Sequence, residues 1–165
     1  VAEISLRDAV FGDAEAIATV HVASWQTAYR GIISDAELDS LSVPERAGQW
    51  RERLAAGVEV VVALRDEQVV GFCALRRVAG EPVEIGALYL DPALLRRGIG
   101  SRLMEEMLTR LRAAHESEVT LWVLTGNARA RAFYARHGFV ATGSSEQWHG
   151  ADELQMRLTL ASCSA

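Results

Sequence analysis

The chain has 165 residues, half of them hydrophobic, and 22 acidic side chains against 17 basic ones give it a net charge of −5. That length supports one domain with a substantial core and is short for two, and the acidic balance argues against a nucleic-acid-binding surface. No apolar run approaches the roughly 18–20 residues of a membrane span, the N-terminus lacks a signal-peptide pattern, and two cysteines, Cys73 and Cys163, make no disulfide framework, so a cytoplasmic protein is expected.

In chain order, Ile4 to Arg7 alternates like a short strand, and Asp13 can cap a helix running to about Tyr29. On the helical wheel Ala14, Ile17, Ala18, His21, Trp25, Ala28 and Tyr29 share a face. Gly31 ends that helix, a short one is expected over Asp35 to Leu41, and Pro44 opens another that reaches Ala56. The period then changes. Glu59 to Arg65 and Val69 to Arg77 are β-branched runs joined by a turn at Asp66 to Gln68, and Val83 to Leu90 follows as a third strand. Gly86 inside that third strand points to a bulge or a close backbone approach.

Gly98-Ile99-Gly100-Ser101 leads directly into an amphipathic helix with Leu103, Met104, Met107, Leu108 and Leu111 on one side. Glu118 to Leu124 reads as a strand, Asn127 caps a helix that stops at His137-Gly138, and Phe139 to Ser144 and Asp152 to Leu160 close the chain as strands around Gly150. Ala161 to Ala165 is expected to fray. This order of elements predicts an α/β (α+β) domain over residues 1–165, built on a mixed, mostly antiparallel sheet of about seven strands with helices on both faces.

Strand, glycine turn, helix is a recipe for binding a phosphate group. The first N–H groups of a helix lack intrahelical partners and carry the positive end of its dipole. Glycine lets an anion approach the backbone, and Arg96 and Arg97 add fork-shaped cationic donors. It is not a dinucleotide-binding turn, because Leu103 stands where the third glycine would. Nor does it end in the Gly-Lys-Ser/Thr of a Walker A loop.

Residues 88–101 together with 121–139 resemble the GCN5-related N-acetyltransferase (GNAT) family. The family's pyrophosphate signature, Q/R-x-x-G-x-G/A, falls on Leu95, Arg96, Arg97, Gly98, Ile99 and Gly100, with leucine replacing the first polar residue. The run WVLTGNARARAFYARHGF resembles the family's strand, Asn-led helix, tyrosine and Gly-Phe. Asn127 and Tyr134, seven residues apart, then share one helix face.

The resemblance implies acetyl-CoA as co-substrate, lying in a V-shaped opening where the central strand splays from its neighbour. It would pair with main-chain groups of Leu88, Tyr89 and Leu90, place its pyrophosphate on the N–H groups of Arg96, Arg97, Gly98, Ile99, Gly100 and Ser101, and reach Asn127 with its pantetheine amides. Tyr134 matches the family's general acid, which protonates the departing thiolate. Glu84 stands where the histone-acetylating members carry a glutamate base, although many relatives use a water chain; strict alternation would put it on the same face as Leu88 and Leu90. His21, Trp25 and Tyr29 border the expected acceptor side, a site like that of Trp148 and His149 near the last hairpin. Cys73, mid-strand, reads as an inert buried thiol rather than an acyl carrier.

No spacing of the four histidines suggests a metal site. The expected reaction is direct attack by a primary amine, with a small-molecule acceptor slightly favoured over a protein N-terminus or lysine, and a non-catalytic acyl-CoA sensor is the rival of another class. Analogy with the family suggests a homodimer.

Overall fold

A computed structural model describes residues 3–161. Cys163 and most of the tail expected to fray lie outside those residues. The elements run β1 (Ile4–Asp8), α1 (Ala14–Ala28), α2 (Asp35–Asp39), α3 (Val43–Ala55), β2 (Val60–Arg65), β3 (Gln68–Arg76) and β4 (Val83–Leu90), and continue with α4 (Ile99–Ala113), β5 (Glu118–Leu124), α5 (Ala128–Arg136), β6 (Val140–Trp148) and β7 (Ala151–Thr159). The seven strands form one sheet in the order β1-β2-β3-β4-β5-β7-β6. Every neighbouring pair is antiparallel except β4 with β5, whose parallel arrangement follows from the crossover through α4.

One apolar cluster fills the space between the sheet and α4, with Leu103, Met104, Met107 and Leu111 against Val61, Cys73, Ile85, Val119 and Leu121. The opposite face is covered by α1 and α3, where Ile17, Ala18 and Trp50 meet Val60, Val62 and Phe72. Strands β2 and β3 are therefore buried on both sides, which explains why they read as β-branched apolar runs. Among the described residues no helix is long and apolar enough to cross a membrane.

Three local features depart from the sequence reading. Asp13 does not cap α1; its carboxylate instead accepts the Val10 N–H at 2.8 Å and the Arg7 guanidinium at 2.7 and 3.1 Å, fixing the short turn before the helix. The last hairpin is longer than expected, because Gly143 takes a φ of +93° within a register shift between Ala141 and Ser145 and hides the alternation that marks a strand. Its turn is His149-Gly150, both at positive φ, as two-residue hairpin turns require.

The third departure positions the functional site. Ala74 faces Ala87 and Leu75 faces Ile85, so Gly86 is the extra residue of a bulge in β4. Leu88 and Leu90 turn toward the α4 cluster, as does Ile85, while Ala87 and Tyr89 turn toward the α1 and α3 side. Glu84, flanked by the core residues Val83 and Ile85, consequently points to the α1 side, opposite to Leu88 and Leu90. One bulged residue reverses the face.

Candidate active site

Strands β4 and β5 pair over only three positions, Val83 with Val119, Glu84 with Thr120 and Ile85 with Leu121. Beyond Ile85, β4 stays paired with β3 as far as Leu90, and β5 stays paired with β7 as far as Leu124. Their facing edges separate. A strand edge without a partner leaves its N–H and C=O groups to whatever enters. A cavity of about 1210 Å³ passes through this split from one face of the sheet to the other.

On the α4 side its wall includes Leu88, Leu90, Arg96, Gly98, Gly100, Ser101, Asn127, Phe133 and Tyr134. Gly98 stands at the N-cap of α4 with φ +78°, and no side chain caps that helix. A residue with a Cβ adopts this left-handed geometry only at a cost, so glycine is required by conformation. The first intrahelical bond runs from the Arg102 N–H to the Gly98 carbonyl, so the N–H groups just before it are free for an anion. Ser101 Oγ and a ring nitrogen of His137, 3.1 Å apart, tie the start of α4 to the end of α5.

Asn127 Oδ1 accepts the Ala130 N–H at 3.2 Å and caps α5, leaving its amide NH₂ as a donor toward the cavity. Tyr134 packs edge-on against Phe133 and Phe139, and burial pushes its phenol above the ordinary tyrosine range. It keeps its proton at neutral pH, as a donor must.

Ile99 and Arg97 do not line the cavity. Ile99 is buried in the core under α4 and can offer only its main chain, and the Arg97 side chain is exposed outside the lining. Arg96 reaches the wall from a φ of +63°, so the backbone turns sharply twice before the helix begins.

On the α1 side the wall is different. It is formed by Ser24, Thr27, Tyr29, Arg76, Glu84, Trp122, Glu146, Trp148 and Glu153. Tyr29 Oη lies 3.2 Å from Tyr89 Oη. His21 and Trp25, expected to border an acceptor, are instead core residues behind this wall. Trp50 Nε1 donates to His21 Nδ1 at 3.1 Å, and the His21 ring stacks on Tyr89 with centroids 4.9 Å apart. Burial first, then Arg46 and Arg53, lower the His21 pKa to about 3, so the ring is neutral and an acceptor in the core. Helical periodicity places a residue on a face but not at a given depth along it, and of His21, Trp25 and Tyr29 the last alone, at the end of α1, lines the cavity. Cys73 is fully buried in the α4 core, and its thiol is pushed up to about 12 by burial, which removes it as a nucleophile.

Glu84 receives Arg76 Nη1 at 3.4 Å, and burial raises its pKa despite that cation. The sequence reading missed Glu146 and Glu153. These two are direct cross-strand partners on β6 and β7, and Glu153 also pairs in register with Leu124 of β5. Glu153 is only 8% exposed, and its pKa is pushed up to about 7, by burial first and then by Glu146 and Glu84. Two glutamates in the closing strands carried the signal, but the bulge at Gly143 conceals that they face each other.

The profile of the acetyltransferase (GNAT) family matches residues 21–139. The chain is 32% identical over 130 residues to the uncharacterized N-acetyltransferase YuaI of Bacillus subtilis, covering 75% of this chain and 73% of that protein. The chain belongs to the GNAT family and is an N-acetyltransferase. Solved GNAT folds superpose closely on this acetyltransferase. The PaiA N-acetyltransferase of Thermoplasma acidophilum, in complex with coenzyme A, matches with a TM-score of 0.77 at 24% identity, over 95% of this chain and 99% of that one. The yncA protein of Salmonella typhimurium, solved with its cofactor acetyl-CoA, matches with a TM-score of 0.73 at 22% identity, over 99% of this chain and 97% of that one. For this GNAT chain the unpaired β4 edge, the uncapped start of α4 and the Asn127 amide fit an extended pantetheine ending in a pyrophosphate.

Proposed function

We propose that this acetyltransferase moves the acetyl group of acetyl-CoA to a primary amine, and that the amine is a small molecule. The observation that carries the reading is the cavity through the β4–β5 split, which joins a wall of free main-chain groups to a wall of carboxylates and aromatic rings. On the first wall the N–H groups from Arg96 to Ser101 bind the pyrophosphate and Leu88 to Leu90 hold the pantetheine arm. Acetyl-CoA supplies the activated acetyl group as a thioester. Tyr134 donates its phenolic proton to the departing sulfur. On the second wall Glu84 and its neighbouring carboxylates attract the cationic amine, and a carboxylate there takes the proton that the ammonium must lose before it can attack.

A small acceptor is supported by the close packing at the Trp148 end of this second wall. His149 in the β6–β7 turn contacts Glu37 of α2. Beneath it, the Trp148 ring packs against Trp25 and Tyr29, with centroids 4.9 and 6.0 Å away.

The test is acetyl-CoA-dependent thiol release over a panel of monoamines, diamines, amino acids, aminoglycosides and peptides. A rise in melting temperature with acetyl-CoA, and turnover with one or more small amines, are expected. No thermal shift would overturn the cofactor assignment. A shift without turnover would favour a sensor, and turnover confined to peptides would move the acceptor to proteins.

A further inference from the structure

The acetyl-transfer reading leaves open where the ammonium's first proton goes, and the cavity wall contains a group built for it. Glu153 is more than nine-tenths buried, yet it lines the cavity. Among the described residues no basic side chain pairs with it or with Glu146. Glu84, by contrast, is engaged by Arg76. Like charges directly across an antiparallel pair are destabilising, and burying a carboxylate without a partner is costly. Glu153 is buried and Glu146 exposed, so the cost falls on Glu153 and is relieved when it takes up a proton that it can share with Glu146, as carboxylate dyads do.

We infer that Glu146 and Glu153 form a proton-sharing carboxyl pair that seats the acceptor's ammonium group and takes its first proton, with Glu153 as the accepting residue and Glu146 as the residue that positions its titration. This deepens the acetyl-transfer reading and rests on it.

The groups facing Glu153 are Glu146 from β6, Glu84 and Tyr89 from β4, and Tyr29 from the end of α1. All of them are neutral or negative at pH 7, with Arg76 spent on Glu84, so an arriving ammonium meets net negative charge. With both carboxylates ionised, Glu153 takes a proton from the ammonium and shares it with Glu146, the amine lone pair forms the new C–N bond at the acetyl carbon, and the C–S bond breaks with its electrons left on sulfur. Tyr134 gives its proton to that sulfur and recovers the second amine proton from the new amide nitrogen. Glu153 then releases its proton to solvent, so one proton leaves per turnover.

A base that titrates near the working pH combines availability with driving force, and the pair's position at about 7 meets that condition. Two measurements on the full chain test it. The first follows the side-chain carboxyl ¹³C signals of glutamates against pH. A carboxyl titrating near neutrality is expected in the wild type; it should vanish in Glu153→Gln and move to lower pH in Glu146→Gln, because the neighbour that raises it is gone. Saturating n-butylamine should also move it to lower pH, since a bound ammonium favours the carboxylate. No carboxyl titrating near neutrality would overturn the pair.

The second measurement is the pH dependence of kcat/KM. Glu153→Gln should lower kcat about a hundredfold with the acetyl-CoA thermal shift retained, and Glu146→Gln should move the acidic limb to lower pH. An unmoved limb would overturn the proton-acceptor role even if the carboxyl signals behaved as expected. Intact carboxyl titration with no turnover on any amine would instead overturn the acetyl-transfer reading.

Discussion

The two walls of the cavity are built from different parts of the chain. On the α4 side the donors are main-chain N–H groups held by Gly98, by the uncapped start of α4 and by the open edge of β4. On the α1 side the lining groups are side chains, mainly carboxylates and aromatic rings, from six elements spread over the chain. A main-chain site tolerates many side chains but demands particular backbone angles. A side-chain site demands particular residues in a particular register. The first suits a ligand common to many enzymes, and the second can change its acceptor while the scaffold stays fixed.

The sharpest way to break this comparison is at the meeting point of the walls. Tyr134→Phe keeps the packing against Phe133 and Phe139 and removes only the phenolic hydroxyl, the proposed proton donor. It should lower kcat by about a hundredfold or more and leave the acetyl-CoA thermal shift unchanged, read by thiol release and by melting curves. Unchanged turnover would remove Tyr134 from the chemistry.

Next in size is a test of the main-chain wall. A Cβ at Gly98 meets nothing within 4 Å, so any effect of Gly98→Val comes from its φ of +78° rather than from a clash. Forcing a β-branched residue into that region costs about 1–3 kcal/mol. On the proposal that the ordered turn binds the pyrophosphate, acetyl-CoA affinity should fall about tenfold or more by calorimetric titration. If the variant loses stability but binds normally, the turn is a helix start and no anion cradle.

Side chains on the same wall should matter less. Arg96 lines the cavity and Arg97 does not. Arg96→Ala should raise the acetyl-CoA KM a few-fold, by an amount that shrinks with added salt, because exposed charges are screened within about 10 Å at 0.1 M ionic strength. Arg97→Ala should leave KM unchanged. Equal effects would mean that the turn acts through overall positive charge.

These differences also explain what was legible from residues alone. Elements with long, clean periods, α4 above all, were readable to within a residue or two, and so was the glycine turn, because backbone-demanding chemistry leaves glycine at fixed positions. The acceptor wall was not. His21 and Trp25 share a helix stripe with Tyr29, yet the stripe is longer than the cavity, and the first two fall behind it. Counting in twos puts Glu84 on the face of Leu88, and the bulge at Gly86 reverses that count. Gly86 itself had pointed to a bulge, but its consequence for Glu84 appears only once the register with β3 is known. Glu146 and Glu153 become a pair only through a β6–β7 register broken at Gly143.

The smallest expected effect concerns stability, and it separates the walls by sign. The Glu153 carboxyl is raised from an ordinary value near 4.5 to about 7 by burial and like charge. A carboxyl raised on folding binds its proton more tightly in the native state. Its favourable contribution is therefore complete below about pH 4.5 and is lost as the pH rises through about 7. Glu153→Gln removes that loss, so the variant should melt a few degrees above the wild type at about pH 8 and close to it at about pH 4.5. Gly98→Val should be destabilised by a similar amount at both pH values, because backbone strain carries no charge. A Glu153 variant that is more stable at neutral pH and also inactive would show that this carboxylate is kept at the expense of the fold. A variant less stable at every pH would mean that the carboxyl holds β7 in place, and that its position in the cavity wall is structural.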